Sequence, residues 1–421
     1  MSRSLPGSVG VIPRCSLFAR TRDEAVRETI AEHPESPDAP SHCIAEDFQR
    51  NLCADSMPQQ EACATRASAV RPDSPSPQEG GEHVRVIATI LQYGNWRDTA
   101  LCVESVLGGD LVPDWIVIVD NASPDDSAES FLAWARGELE LAPPDFLPLR
   151  SSPKPLALTV LPEQAVNDAG MPETRCVFVR MARNGGYAAG NNAGLSLGLR
   201  WGADAFLLLN NDTMVTAPAV RALRDRLFAC TRPGLCGGLL RYCHEGRLVQ
   251  CLAGGCTDPR TALSRITGQG LTLEEALRVP RDEVEARINY VCGACVMASR
   301  RFVETVGLLD EGYFLYCEEQ DWAYRAGGRF DLAYAPDALV WHREGASTGW
   351  NGRGAMPLRS LLRLTVSRLR CTWRHQPKWL PTVLLGIVFA TLRLTMKRAL
   401  AWIGGFGVHK KQIIHIINNI R

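Results

Sequence analysis

Four short apolar runs, VRVIATILQY (84–93), WIVIVD (115–120), CVFVRM (176–181) and FLLLN (206–210), alternate with patterns of helical period. The helical patterns are RDTALCVESVL (97–107), SAESFLAWARGELE (127–140) and YAAGNNAGLSLGLRWG (187–202). Runs that are apolar at every position suit strands buried on both faces, and such strands joined through helices form a mostly parallel sheet. The expected class is therefore α/β. Each run also ends in polar residues: Tyr93-Gly94-Asn95, Asp120-Asn121-Ala122-Ser123, Asn184-Gly185-Gly186 and Asn210-Asn211-Asp212. The carboxyl edge of an open α/β sheet is where ligands bind, so four polar turns on that edge predict one site.

The rest of the chain divides by composition. Residues 1–82 mix Pro, Ser, Glu and Gln with few aromatics, too little apolar surface to offset chain entropy, and are expected to be disordered. No continuous apolar stretch of signal-peptide kind opens the sequence; its scattered Arg and Ser weakly resemble a transit sequence. Ordered sequence is expected over 83–348, with 236–342 as a less regular, acceptor-side half and a Pro-rich insertion at 141–174 of no assigned role. The formal net charge is zero, from 46 residues of each sign. That balance conceals a division: no Asp or Glu follows Glu344, whereas thirteen Lys and Arg do. A basic tail over 349–421 is expected to face an anionic surface. Fifteen cysteines are scattered, without paired CxxC units at zinc spacing, which points to free thiols in a reducing compartment. The lone CxxC, Cys292 to Cys295, reads as core cysteines in a strand.

Several positions carry chemistry in more than one reading. Asp212 after two asparagines suits a hard divalent cation bridging to phosphates, or an Asx turn or helix cap. Asp120 and Asn121 suit a base and ribose contact or a plain turn. The glycines of NGGYAAGNNAG suit close backbone approach and an anion at a helix N-terminus. In FLYCEEQDWAYR, Glu318, Glu319 and Asp321 crowd together. Like charges raise one another's pKa, which suits a general base; the same acids also suit a helix start, with Asp321 and Arg325 as a surface pair. On a helix Glu318 and Asp321 share a face and Glu319 points elsewhere. His342 closes a strand in VWHREGAST, as a ligand or as an ordinary core residue.

Taken in order, YGNWRDTALCVESVL, VDNASPDDS, NGGYAAGNNAG, LLLNNDT, GACVMASRRFVETVGLLDEGYFLYCEEQDWAYR and VWHREGAST resemble the family-2 glycosyltransferases of the GT-A fold, in particular their bacterial rhamnosyltransferase-like branch. The resemblance spans residues 84–348. It implies an inverting enzyme that binds a dTDP- or UDP-sugar and a saccharide or lipid-linked acceptor. It places Tyr93, Asn95, Asp120, Asn121, Asn184 and Gly185 around the nucleotide. Asn210 and Asp212 take the aspartate-X-aspartate position, where the carboxylate holds Mg²⁺ or Mn²⁺, and His342 takes that of a second metal ligand. Glu319 falls where the family has its catalytic aspartate, with Glu318 and Asp321 as competitors. Asn at 210 and Glu at 319 depart from the family's aspartates. Trp322 and Tyr316 are expected to stack on an acceptor sugar or to pack in the core.

Two other classes remain open from the sequence: a sugar nucleotidyltransferase, and a catalytically silent nucleotide-sugar or saccharide-binding module. A methyltransferase fits less well, because the glycines follow a late strand. In the tail, WLPTVLLGIVFATL (379–392) is too short to span a bilayer. LRSLLRLTVSRLRCTWRH, with Arg359, Arg363, Arg370 and Arg374 among leucines, suits a helix on anionic lipid or one packed on the domain. Leucines between the arginines speak against nucleic acid. The expected location is peripheral, on the cytoplasmic face of the inner membrane.

Overall fold

The computed structural model describes residues 83–149, 151–244, 247–345 and 356–404, and side chains within these as far as Arg393. The expectation for 1–82 and the last residues, KKQIIHIINNIR, lie outside the described residues. Val84–Pro143 and the chain from Leu149 belong to one compact unit. A second unit, Ile12–His83 with Pro144–Pro148, falls almost wholly outside the described residues.

The expected alternation is present as β1 (Val86–Gln92), α1 (Trp96–Leu107), β2 (Trp115–Asp120), α2 (Ser127–Arg136), β3 (Leu158–Pro162), β4 (Cys176–Arg180), α3 (Gly186–Trp201) and β5 (Ala205–Asn210). Then follow β6 (Thr213–Val215), α4 (Ala219–Phe228), β7 (Pro233–Tyr242), β8 (Val249–Leu252), β9 (Gly254–Asp258) and β10 (Leu263–Ile266). After α5 (Leu273–Leu277), α6 (Arg281–Arg287) and β11 (Tyr290–Val291) come β12 (Cys295–Ser299), α7 (Arg300–Val306), α8 (Glu318–Ala326) and β13 (Asp331–His342). Two helices end the described chain, α9 (Leu358–His375) and α10 (Leu380–Gly404).

The main sheet has the order β3-β4-β2-β1-β5-β12-β7-β13-β6, with β8 beside β7. Its first five strands run parallel, β12 runs antiparallel between β5 and β7, and β13 runs parallel to β7. From β1 the chain moves outward through β2 and β4, then returns to β5 on the other side of β1. That reversal makes a switch point at the carboxyl ends of β1 and β5. Alternate residues feed the two faces: Val86, Ala88 and Ile90 pack under α1 with Ala100 and Val103. Ile87 packs on the other face with Leu195 of α3 and Phe302 of α7.

Three local findings differ from the sequence reading. The 141–174 insertion supplies β3, which pairs with β4 as a half-exposed edge strand. INYVCGACVMA is not one strand: Tyr290 and Val291 join a small sheet with β9 and β10, and Cys295 onward joins the main sheet. The break leaves Gly293 and Ala294 between the two sheets. The glycines of α3 serve packing rather than phosphate: a Cβ at Gly190, Gly194 or Gly198 would lie within 2.7 Å of Leu91, Thr89 or Ile87 side chains of β1. At this spacing the three glycines form one stripe that lets the helix lie against the strand.

The basic segment is no detached tail. The carboxylate of Asp310 pairs with Arg370 and Arg374, Asp321 with His375, and Ser367 Oγ donates to the Leu315 carbonyl. Ser360, Ser367, Cys371 and Thr372 are buried while Leu358, Leu362, Val366 and Trp373 stand exposed. The inner side of the helix is thus rich in small residues, and its outer side mixes these apolar residues with exposed Arg359, Arg363, Arg370 and Arg374. Among the described residues no helix is long and apolar enough to cross a membrane.

Candidate active site

A cleft of about 480 Å³ opens over the switch point. The polar triplet after β5 divides its tasks. Asn210 lines the cleft. Buried Asn211 reaches back to α1, its amide donating to Thr99 Oγ1 (3.0 Å). Asp212, also buried, faces His342, with Oδ1 3.2 Å from Nε2. Register brings these two together: β13 pairs antiparallel with β6, and His342 sits opposite Thr213, the residue after Asp212.

The orientation of His342 comes from a residue no sequence signal marked. Its Nδ1–H donates to Gln250 Oε1 at 2.7 Å, which leaves Nε2 toward Asp212. Gln250 lies where the β7–β8 register shifts, with Leu240 opposite Cys251 and Arg241 opposite Val249. Such an irregularity re-aims a side chain, here into the cleft. Burial pushes the His342 pKa down, but the Asp212 carboxylate outweighs it and the net direction is up. Two more residues missed by sequence reading brace this corner. Arg343 pairs with the buried Asp98 of α1 at 2.7 Å, and its backbone N–H donates to the Asp212 carbonyl.

A carboxylate and an imidazole nitrogen side by side fit Mg²⁺ or Mn²⁺. Among the described residues no group of three or more His, Cys, Asp and Glu forms a closed cage. The fit is to an ion completed by ligand oxygens and water, the usual habit of Mg²⁺ at phosphates. Nearby, Glu344 Oε2 is buried without a hydrogen-bond partner, and burial pushes that carboxyl up.

Across the cleft stand Glu318 and Glu319 at the start of α8. They follow Tyr316 (φ 72°) and Cys317 (φ 68°), two consecutive left-handed residues without a glycine. Backbone held in this way is a strained arrangement that surrounding structure must impose. Here Ser367 of α9 grips the Leu315 carbonyl one residue earlier. Burial pushes the Glu318 carboxyl well above its ordinary range, and the neighbouring Glu319 charge adds to this. Glu319 is also raised by burial, opposed by its own N–H, that of Gly293 and the hydrogen bond from Glu318. Both carboxyls are thus pushed toward the neutral form, Glu318 the more strongly, and its Oε1 is buried without a hydrogen-bond partner.

The helical-wheel expectation for this segment is corrected. Glu318 is the first residue of α8, where the preceding turn sets its direction, so it joins Glu319 and not Asp321. Asp321 lies outside the cleft lining, fully buried, bound by Arg325 (2.7 Å) and His375 (2.7 Å). Those partners outweigh its burial and hold its pKa down. Its role is to tie α8 to α9. Trp322 is core: its Nε1–H donates to the Gly307 carbonyl and its ring meets Phe302 edge-on. Tyr316 does line the cleft.

The residues expected around a nucleotide also separate. Tyr93, Asn121 and Asn184 line the cleft. Asn121 locks two loops together, its amide donating to Asn184 Oδ1 and the Gly186 carbonyl while its oxygen accepts the Gly185 N–H. Gly186 (φ 87°) must be glycine, since a Cβ would sit 2.2 Å from the Phe314 carbonyl oxygen. Asp120, Asn95 and Gly185 lie outside the lining. Asp120 accepts from Gln92 and Ser123, and the Asn95 side chain turns to Asp98. Of the CxxC pair, Cys295 is core, with burial pushing its thiol up, whereas Cys292 lines the cleft. From α9, Arg359 and Arg363 reach the cleft, Arg363 over the Phe314 ring at 4.1 Å.

No protein-family model matches the chain, and no curated protein does. Among solved structures it is similar to the mannosyltransferase PcManGT from Pyrobaculum calidifontis in complex with GDP-Man and Mn²⁺. That likeness has a TM-score of 0.39 and 14% identity, over 79% of this chain and 83% of that one. It is also similar to S. aureus TarS 1–349, at TM-score 0.39 and 9% identity over 71% of this chain and 70% of that one. At these identities and scores the likeness assigns this chain no substrate.

Proposed function

We propose that the chain is an inverting, metal-dependent glycosyltransferase of the GT-A fold, moving a hexose from a nucleotide-diphosphate donor to a saccharide or lipid-linked acceptor in cell-surface polysaccharide synthesis. Rhamnose from a dTDP donor is the first sugar to test. One observation carries the reading: Asp212 with His342 and Glu318 with Glu319 face one cleft at the switch point of the sheet. A nucleotidyltransferase or a silent binding module gives no reason for two adjacent buried carboxyls there.

In this reading Tyr93, Asn121 and Asn184 border the nucleotide, and Asp212 and His342 hold the divalent ion. The ion supplies charge neutralisation for the departing diphosphate. Glu319 takes the proton of the acceptor hydroxyl as its oxygen bonds to the anomeric carbon and the bond to the diphosphate oxygen breaks. Glu318, kept neutral by its burial, leaves the pair with a single negative charge. Exposed apolar residues of α9 and of α10 (Leu385, Val388, Phe389), with the exposed arginines of α9, support a peripheral seat on an anionic membrane, which in this reading is the cytoplasmic face.

The test is a screen of the full chain against dTDP- and UDP-sugars with Mn²⁺, with Mg²⁺ and with EDTA, alongside Asp212→Ala. Metal-dependent release of nucleoside diphosphate, lost in the variant, is the expected result. Donor binding indifferent to metal and to Asp212 would sink the reading and favour the binding module.

A further inference from the structure

A second cavity of about 300 Å³ adjoins the cleft, and Gln250, Cys292, Tyr316, Glu319 and Glu344 border both. Its lining also includes Arg368 of α9 and Gln320 of α8. Of the other arginines of α9, Arg363 lies on Phe314, Arg370 and Arg374 pair with Asp310, and Arg359 is exposed at the cleft, where water solvates it. Arg368 is different. It is half-buried, and among the described residues its guanidinium makes no hydrogen bond, ion pair or ring contact. Burial pushes its pKa down, and no carboxylate offsets that. Gln320 Oε1 is buried and also without a partner. A cation withdrawn from water without a counter-charge is unfavourable until an anion joins it.

We propose that this cavity is an acceptor subsite for an anionic group, a carboxylate or a phosphate carried by a saccharide, which Arg368 pairs with. The acceptor role rests on the glycosyltransferase reading; the anion site does not. Glu319 and Glu344 stand where the cavity meets the cleft, so an anion is drawn away from them toward Arg368. A saccharide anchored there has its hydroxyls on the Glu319 side, where the proton is to be removed. The bidentate fork of arginine suits both carboxylate and phosphate.

The experiment is saturation-transfer NMR on the full chain with methyl glucuronide, glucose 6-phosphate and methyl glucoside, each with UDP at saturation to fill the diphosphate region. Wild type is compared with Arg368→Gln and Arg368→Lys. The glucuronide or the glucose 6-phosphate should bind at least tenfold tighter than the neutral glucoside, and whichever does names the anion. Arg368→Gln should erase that preference and Arg368→Lys retain part of it. If the wild-type chain binds all three alike, or a folded Arg368→Gln keeps the preference, the subsite is overturned. The wild-type comparison decides even if both variants fail to fold. Failure to bind UDP, followed separately, counts against the donor reading and leaves the anion site standing.

Discussion

Replacing Gln250 with Leu removes the acceptor of the His342 Nδ1–H while roughly keeping side-chain volume. Gln250 and His342 are 9% and 5% exposed, and the leucine side chain itself fills the vacated place. Two outcomes are open to the imidazole. It can leave a buried N–H bare, at a cost of about 1–3 kcal/mol. Or it can move the proton to Nε2, which then donates to Asp212 and offers no lone pair to a metal. Loss of such a supporting hydrogen bond typically weakens metal binding by about 10–100-fold. At about 1.4 kcal/mol per factor of ten, that matches one buried hydrogen bond. Mn²⁺ titration followed by electron paramagnetic resonance, with UDP present, reads the affinity, and a thermal melt confirms the fold. Gln250→Glu, which keeps an acceptor oxygen, should recover binding that Gln250→Leu loses. A folded Gln250→Leu chain with Mn²⁺ affinity within about twofold of wild type would refute the reasoning.

Two further outcomes concern the acid pair. Glu319→Gln should lower sugar transfer by about 10²–10⁴-fold, the usual worth of a general base, while UDP binding by calorimetry stays near wild type; equal loss of both would assign Glu319 a structural task. Glu318→Gln should melt above wild type at neutral pH. The folded pKa of Glu318 is raised, so its favourable contribution is complete below the ordinary value of 4.5 and is lost as pH rises through the folded value. The difference in melting temperature should therefore vanish in acid and grow with pH, and a difference that shrinks with pH contradicts the burial argument.

The sheet was legible because its strands are buried on both faces, and continuous apolar runs such as WIVIVD leave little else to form. The triplet at Asn210–Asp212 and the carboxyls at 318 and 319 were legible because polar residues at the end of such a run need partners. What escaped was set by register and distance. Gln250 follows from a shift between β7 and β8, and Arg343 meets Asp98 across 245 residues. The direction of Glu318 escaped because left-handed Tyr316 and Cys317 precede it, and neither residue type signals that conformation. The arginines of α9 were read only in part: four of them stay exposed among leucines, yet Arg370 and Arg374 also pair with Asp310, a contact the sequence does not signal.

The contacts of α9 with the acidic segment also bear on how the chain comes to life. His375 closes on Asp321 from 54 residues further along the chain, and Arg374 reaches Asp310 from 64. A nascent polypeptide that has just completed the acidic segment has Arg325 for Asp321 but still lacks His375, the arginines that pair with Asp310, and Ser367, which holds the turn at Leu315. The turn that carries Glu318 and Glu319 is therefore synthesised before Ser367, Arg374 and His375, the α9 side chains that brace it.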